Sequence, residues 1–287
     1  KNNSSKDYLL CMKKMLYIDN EVETDNNGLK SLLSILNYET DNYVITNDNF
    51  TKMILLVYRI IADIPVIIMG ETGCGKTALI TKLSQILNNG EKNLEIINIH
   101  PGITDKYLCK KMEEMNEKAE KKNKELWLFF DEINTCLSLS LITEIFTNKT
   151  FNTKKIHKNI RLIGACNPYR RRKQEIERCG YGRENSNGKE LVYLVQPLPQ
   201  SLLNFVFSFG ALNSEDEKKY IYSIIEKLFE PGEEKLHEAT KEVIFNCHKY
   251  LREIFDSSVV SLREINRFVK IVEFFKKYFY IKRKCEE

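Results

Sequence analysis

The sequence predicts an α/β fold, a parallel sheet flanked by helices and followed by a small all-helical lid domain. Three observations predict it. Four short runs (64–69, 126–130, 160–166 and 191–195) are apolar without alternation, with a shorter fifth at 95–99. Continuous apolarity implies strands covered on both faces, as in a parallel sheet. Helical patterns of suitable length separate the runs. Beyond about Leu212 the strand-like runs stop and only helical periodicity remains.

The elements follow in order. Residues 1–42 are polar and Asn-rich, an extension or linker with one short apolar run at 32–36. Residues 43–212 form the α/β part. Within it Leu79, Ile80, Leu83, Ile86 and Leu87 recur at helical spacing after Lys76, and residues 88–90 supply a stop. Residues 110–124 read as a charged helix of mixed sign with a solvated face. Residues 213–283 form the helical part. Ser214 and Glu217 have capping-box spacing ahead of Tyr220, Ile221, Ile224, Ile225, Leu228 and Phe229. Pro231 and Gly232 close that helix, and Val243, Ile244, Cys247, Leu251 and Ile254 mark a second. A third opens with another box, Ser261 and Glu264, and carries Ile265, Phe268, Val269, Val272 and Phe275.

Composition excludes several classes. The 287 residues are 43% hydrophobic and 29% charged, a globular balance. No apolar run approaches the roughly 18 residues that a membrane helix needs. The polar start, Lys1 to Asp7, leads to no expectation of a secretory leader. A net charge of +4 is too balanced to favour a nucleic-acid partner. Eight cysteines are scattered without a CxxC pair, so neither a disulfide framework nor a zinc site is expected, and a reducing, cytoplasmic setting is. The adjacent Cys247 and His248 read as helix packing.

The chemistry concentrates in three places. Gly70, Glu71, Thr72, Gly73, Cys74, Gly75, Lys76 and Thr77 fit G-x-x-x-x-G-K-[ST] without mismatch, between a strand and an amphipathic helix. Such a loop turns successive amide N–H groups toward one anion at a helix N-terminus. Lys76 is then expected to reach the β- and γ-phosphates of ATP, and Thr77 to ligate Mg²⁺. The run 126–130 delivers Asp131 and Glu132 at its carboxyl end, where open parallel sheets bind ligands. Asp131 is expected to hold Mg²⁺ through its water shell, and Glu132 to orient an attacking water. The run 160–166 ends in Asn167, whose amide can reach the γ-phosphate and that water. Arg170, Arg171 and Arg172 follow, open to phosphate, a neighbouring subunit, nucleic acid or solvent.

A phosphate loop, an Asp-Glu strand, an asparagine-tipped strand and a helical lid, in that order, resemble an AAA+ ATPase. The wording of residues 64–77, 129–135, 165–170, 191–193, 197–199 and 261–264 resembles the AAA+ modules of the mysterin family of giant ring-finger E3 ubiquitin ligases. The likeness covers roughly residues 43–275. It implies that Lys76 and Thr77 are Walker A residues, Asp131 and Glu132 the Walker B pair, and Asn167 sensor 1. By the resemblance alone, Arg263 is the sensor 2 arginine. It further implies ATP or ADP and neighbouring AAA+ modules as partners, with clients or ubiquitin-pathway proteins reached through a parent chain. Residues 172–191, with Arg178 and Arg183, give no clear trans-acting arginine finger, and no ring finger is present in these residues.

Two alternatives stand beside a Mg²⁺-dependent ATP hydrolase. One is a nucleotide-binding module that is structural and does not turn over. The other is a dynein-like or midasin-like remodeller.

Overall fold

The computed structural model describes residues 46–87, 93–122, 124–137, 139–170, 193–210, 214–226, 228–229, 234–255 and 260–286. The expected extension (1–42), the second and third arginines of the 170–172 run, Arg178 and Arg183 lie outside the described residues.

The chain divides into two compact units. Among the described residues, one comprises those from Lys52 to Glu71 and from Lys76 to Gly210, and the other comprises 46–51, 72–75 and the helical residues from 214 to 286.

The first unit is built on five strands, β1 (Val66–Met69), β2 (Leu94–Asn98), β3 (Leu126–Asp131), β6 (Ile160–Cys166) and β7 (Val206–Ser208). They lie in the order β2-β3-β6-β1-β7, and every pairing is parallel. Parallel neighbours demand crossovers, which α2 (Lys76–Leu87), α3 (Asp105–Lys122) and α4 (Leu139–Asn148) supply. Each turns one apolar face inward: Leu79, Ile80 and Leu83 from α2, Leu108, Met112 and Met115 from α3, and Ile142, Ile145 and Phe146 from α4. The central strands β3 and β6 are buried almost throughout, as their unbroken apolarity requires. Between α4 and β6 a two-stranded hairpin, β4 (Thr150–Phe151) and β5 (Lys154–Lys155), turns through Asn152 and Thr153, both at positive φ.

Around the sheet, two features depart from the sequence expectations. Of the run 191–195, the described residues 193–195 form no strand, and Leu194 is 82% exposed. The edge of the sheet is taken instead by β7, whose three residues are too few to display a periodicity. Helix α1 (Asn47–Ile61), capped where the Asn49 N–H donates to Thr46 Oγ1 at 3.2 Å, has no counterpart in that reading.

The second unit contains α6 (Ser214–Glu226), α7 (Glu234–Ile254) and α8 (Leu262–Glu286), while the single-turn α5 (Gln200–Leu203) belongs to the first. Ile221, Ile224, Ile225 and Leu228 meet Leu262, Ile265 and Val269 in its core. Phe268 and Phe275, expected on the inner stripe of α8, are exposed, because α6 covers only the narrower stripe through Leu262, Ile265 and Val269. Neither capping-box glutamate closes its box. Glu217 turns to His248 Nε2, 3.2 Å away, and to Arg252, while Glu264 pairs with Arg267 at 2.8 Å. A buried imidazole and a guanidinium offer Glu217 more than one backbone N–H does.

Candidate functional site at the carboxyl edge of the sheet

Strand register decides which residues meet. Met69 is paired with Cys166, and Asn98 with Asp131, so the residues after these strand ends emerge on one edge of the sheet. Gly70 N–H donates to Cys166 O at 3.2 Å, which ties the start of the phosphate loop to the tip of β6.

Lys76, the first residue of α2, is buried. Its Nζ donates to Gly70 O at 2.7 Å, to Glu71 O at 3.0 Å and to Asn167 Oδ1 at 3.1 Å. Thr77 donates its hydroxyl to Asp131 Oδ2 at 2.8 Å. Lys76, Thr77, Asp131 and Asn167 are therefore brought together by three different strand ends. Gly73 and Gly75 stand at φ +78° and +93°, backbone that favours glycine.

Glu132 occupies the left-handed region, with φ 58° and ψ 40°. A non-glycine residue there is strained by about 1–2 kcal/mol. Its peptide groups are held from both sides: its N–H donates to Asp131 Oδ1 at 3.1 Å, and its carbonyl accepts from Thr135 Oγ1 at 2.9 Å and Thr135 N–H at 3.0 Å. The 3₁₀ turn Ile133–Thr135 that follows supplies the two bonds to its carbonyl.

Three residues bear on the site in ways the sequence did not reveal. Arg170 Nη1 lies 3.0 Å from Glu71 Oε1, so the first arginine of the 170–172 run is paired with the phosphate loop's own glutamate. Tyr193 donates its hydroxyl to Glu71 Oε2. Asn134, buried in the turn after Glu132, donates from Nδ2 to Asn167 O at 2.8 Å and accepts at Oδ1 from Asn167 N–H at 3.3 Å. Its sequence signal was a polar residue one turn beyond a strand end, which alone marks nothing.

Cys166, beside Asn167, has its thiol pushed up to about 12 by burial, with nearby Lys76 acting in the opposite sense. At neutral pH it is a packed thiol and no nucleophile.

Arg263 belongs to the helical unit, exposed in the first turn of α8, where its N–H donates to Ser261 Oγ at 3.3 Å. In the same unit a Cβ built on Gly73 would fall 2.6 Å from Ser261 Cβ and 3.7 Å from Arg263 Cγ. Gly73 thus lacks a side chain for two reasons, its φ and the seat of Ser261. Among the described residues no group of three or more His, Cys, Asp or Glu could hold a metal by itself, and no helix is long and apolar enough to cross a membrane.

Residues 43–170 match the family described as "RNF213 AAA domain". The zebrafish (Danio rerio) "E3 ubiquitin-protein ligase rnf213-beta" is 36% identical over 261 residues, 81% of this chain and 5% of that protein. The mouse (Mus musculus) and human (Homo sapiens) "E3 ubiquitin-protein ligase RNF213" are 34% and 33% identical, over 82% and 81% of this chain. The chain spans about 5% of the length of each of these relatives. Among solved structures, C. elegans PCH-2 superposes with a TM-score of 0.43 at 14% identity, over 82% of this chain and 71% of its own. With an α/β core of parallel strands flanked by helices, the chain carries an AAA module of the RNF213 family.

Proposed function

We propose that this module binds ATP with Mg²⁺ and hydrolyses it, as the motor or nucleotide-sensing part of a ligase such as its relatives are named for. The observation that carries the reading is Lys76. Its ammonium is buried on three neutral oxygens, with no carboxylate partner among the described residues. A buried cation without a counter-charge is unfavourable, and a phosphate oxygen is the partner that relieves it. A loop with two positive-φ glycines entering a helix N-terminus suits the same anion.

The donor set also fits Mg²⁺. Thr77 Oγ1 and Asp131 Oδ2 are hard oxygens 2.8 Å apart, and this ion is commonly held by one or two protein oxygens, waters and substrate phosphates. Thr77 and Asp131 would hold it, and when bound it neutralises charge on the phosphate oxygens. Lys76 supplies a fixed point charge toward the β- and γ-phosphates. The Glu132 carboxylate accepts a hydrogen bond from the attacking water and orients it, and the Asn167 amide contacts the same water and the terminal phosphate. Ligase chemistry belongs to residues outside these 287, since no ring finger occurs among them. Neighbouring AAA modules and clients are then partners of the parent.

Two variants of the full-length protein test this. Lys76→Ala should abolish ATP binding at this module, and unaltered affinity would sink the assignment. Glu132→Gln should keep ATP and stop hydrolysis in single turnover. Wild-type turnover in that variant would leave only a nucleotide-binding, structural role.

A further inference from the structure

Asn134 ties together three segments that meet around Lys76. Its carboxamide pairs with both backbone polar groups of Asn167, donating to the carbonyl at 2.8 Å and accepting from the N–H at 3.3 Å. Nδ2 also lies 3.4 Å from Gln196 O, and the Asn134 carbonyl accepts from Gln196 N–H at 2.8 Å. Two carbonyls face Nδ2 and one N–H faces Oδ1, so the partners fix the orientation of the amide.

These bonds join a closed circuit. Asn167 Oδ1 accepts from Lys76 Nζ, which also donates to the Glu71 carbonyl. The Glu71 carboxylate accepts from Tyr193, three residues before Gln196, and Gln196 returns to Asn134. Asn134 is 1% exposed, and it begins only two residues after the strained Glu132.

We propose that Asn134 is a positioning residue of the hydrolytic centre: it fixes the tip of β6, and with it the Asn167 amide, against the turn that carries Glu132. The inference rests on the reading of Glu132 and Asn167 as hydrolytic residues. It touches no substrate in this scheme; its action is to set the distance between two groups that must address one water. Loss of that register lowers turnover without removing the groups that hold phosphate, because a displacement on the order of 1 Å can cost about a hundredfold.

The test uses the full-length protein as wild type, Glu132→Gln, Asn134→Ala and Asn134→Asp. Turnover at this module is taken as the difference from Glu132→Gln, and ATP affinity and stoichiometry are measured on each. Asn134→Asp keeps the shape and one acceptor but loses both donated bonds, so it serves if the alanine variant folds poorly. The expected result is a fall in turnover per bound nucleotide of about tenfold to a hundredfold in either variant, with ATP affinity within about threefold of wild type. Loss of turnover in strict proportion to lost binding stoichiometry would mark a merely structural residue and overturn the proposal. Wild-type turnover in both Asn134 variants, with Glu132→Gln inactive, would overturn it alone. Equal turnover in wild type and Glu132→Gln would overturn it together with the hydrolase reading.

Discussion

Thr77 donates its hydroxyl to Asp131 at 2.8 Å, although 54 positions separate them. One stands in the first turn of α2 and the other ends β3, so the bond reports that two crossovers have closed in register. If this pair holds Mg²⁺, Thr77→Ser keeps the oxygen and should behave as wild type. Thr77→Ala and Asp131→Asn should each need at least about tenfold more Mg²⁺ for nucleotide binding. A Mg²⁺ titration of bound fluorescent ATP reads this, and unchanged midpoints in both would remove the pair from the metal site.

Glu132 should show a conflict between stability and activity. Its φ of 58° is relieved by glycine, so Glu132→Gly should leave the fold as stable as wild type or up to about 1 kcal/mol more stable, while hydrolysis is lost. Denaturant melts paired with single-turnover assays check it. A destabilisation above about 1 kcal/mol would show that the carboxylate itself supports the fold.

The Glu71–Arg170 pair is partly exposed, at 22% and 38% of the two side chains, and solvent screens it. A double-mutant cycle with Glu71→Gln and Arg170→Ala should give a coupling of about 0.5–1 kcal/mol in stability, falling as salt rises. Coupling of zero at low salt would mean that Tyr193 alone holds Glu71.

Gly73 and Gly75 should respond differently to alanine. A methyl at Gly73 would collide with Ser261, whereas one at Gly75 meets nothing within 4 Å. Gly73→Ala should therefore be the more destabilising, by about 1–3 kcal/mol. Adding Ser261→Gly should recover part of the loss in Gly73→Ala and none in Gly75→Ala. Thermal unfolding of the four variants decides it, and equal losses for both glycines would show that φ alone matters.

Cys166 should make stability sensitive to alkali. Its thiol is raised by burial from 9.0 to about 12, so the folded state holds the proton more tightly than the unfolded chain does. The contribution is complete below pH 9 and is lost as pH rises toward about 12, at up to about 1.4 kcal/mol per pH unit. Cys166→Ala should remove this slope from pH-dependent unfolding curves; an unchanged slope would assign it to other groups.

The sequence by itself determined the strand–loop–helix around Lys76, because a continuous apolar run, a glycine-spaced loop and a 3.6-residue apolar stripe are local signals. It determined equally that β3 ends in two carboxylates and β6 in an amide. It did not reveal that residues 193–195 leave the sheet and β7 takes the edge, since three residues carry no period and pairing is decided by neighbours. Nor did it reveal the bonds of Glu217, Arg170 and Tyr193, whose partners lie 31 to 122 positions away. Asn134 shows the reason most plainly. Its type and position are legible in Asp131-Glu132-Ile133-Asn134-Thr135, but its partners are backbone groups of Asn167 and Gln196. Nearly every residue type carries those same groups, so only the tertiary structure, the parallel register of β3 and β6 for Asn167 and the path of the chain through Gln196, selects which of them Asn134 meets.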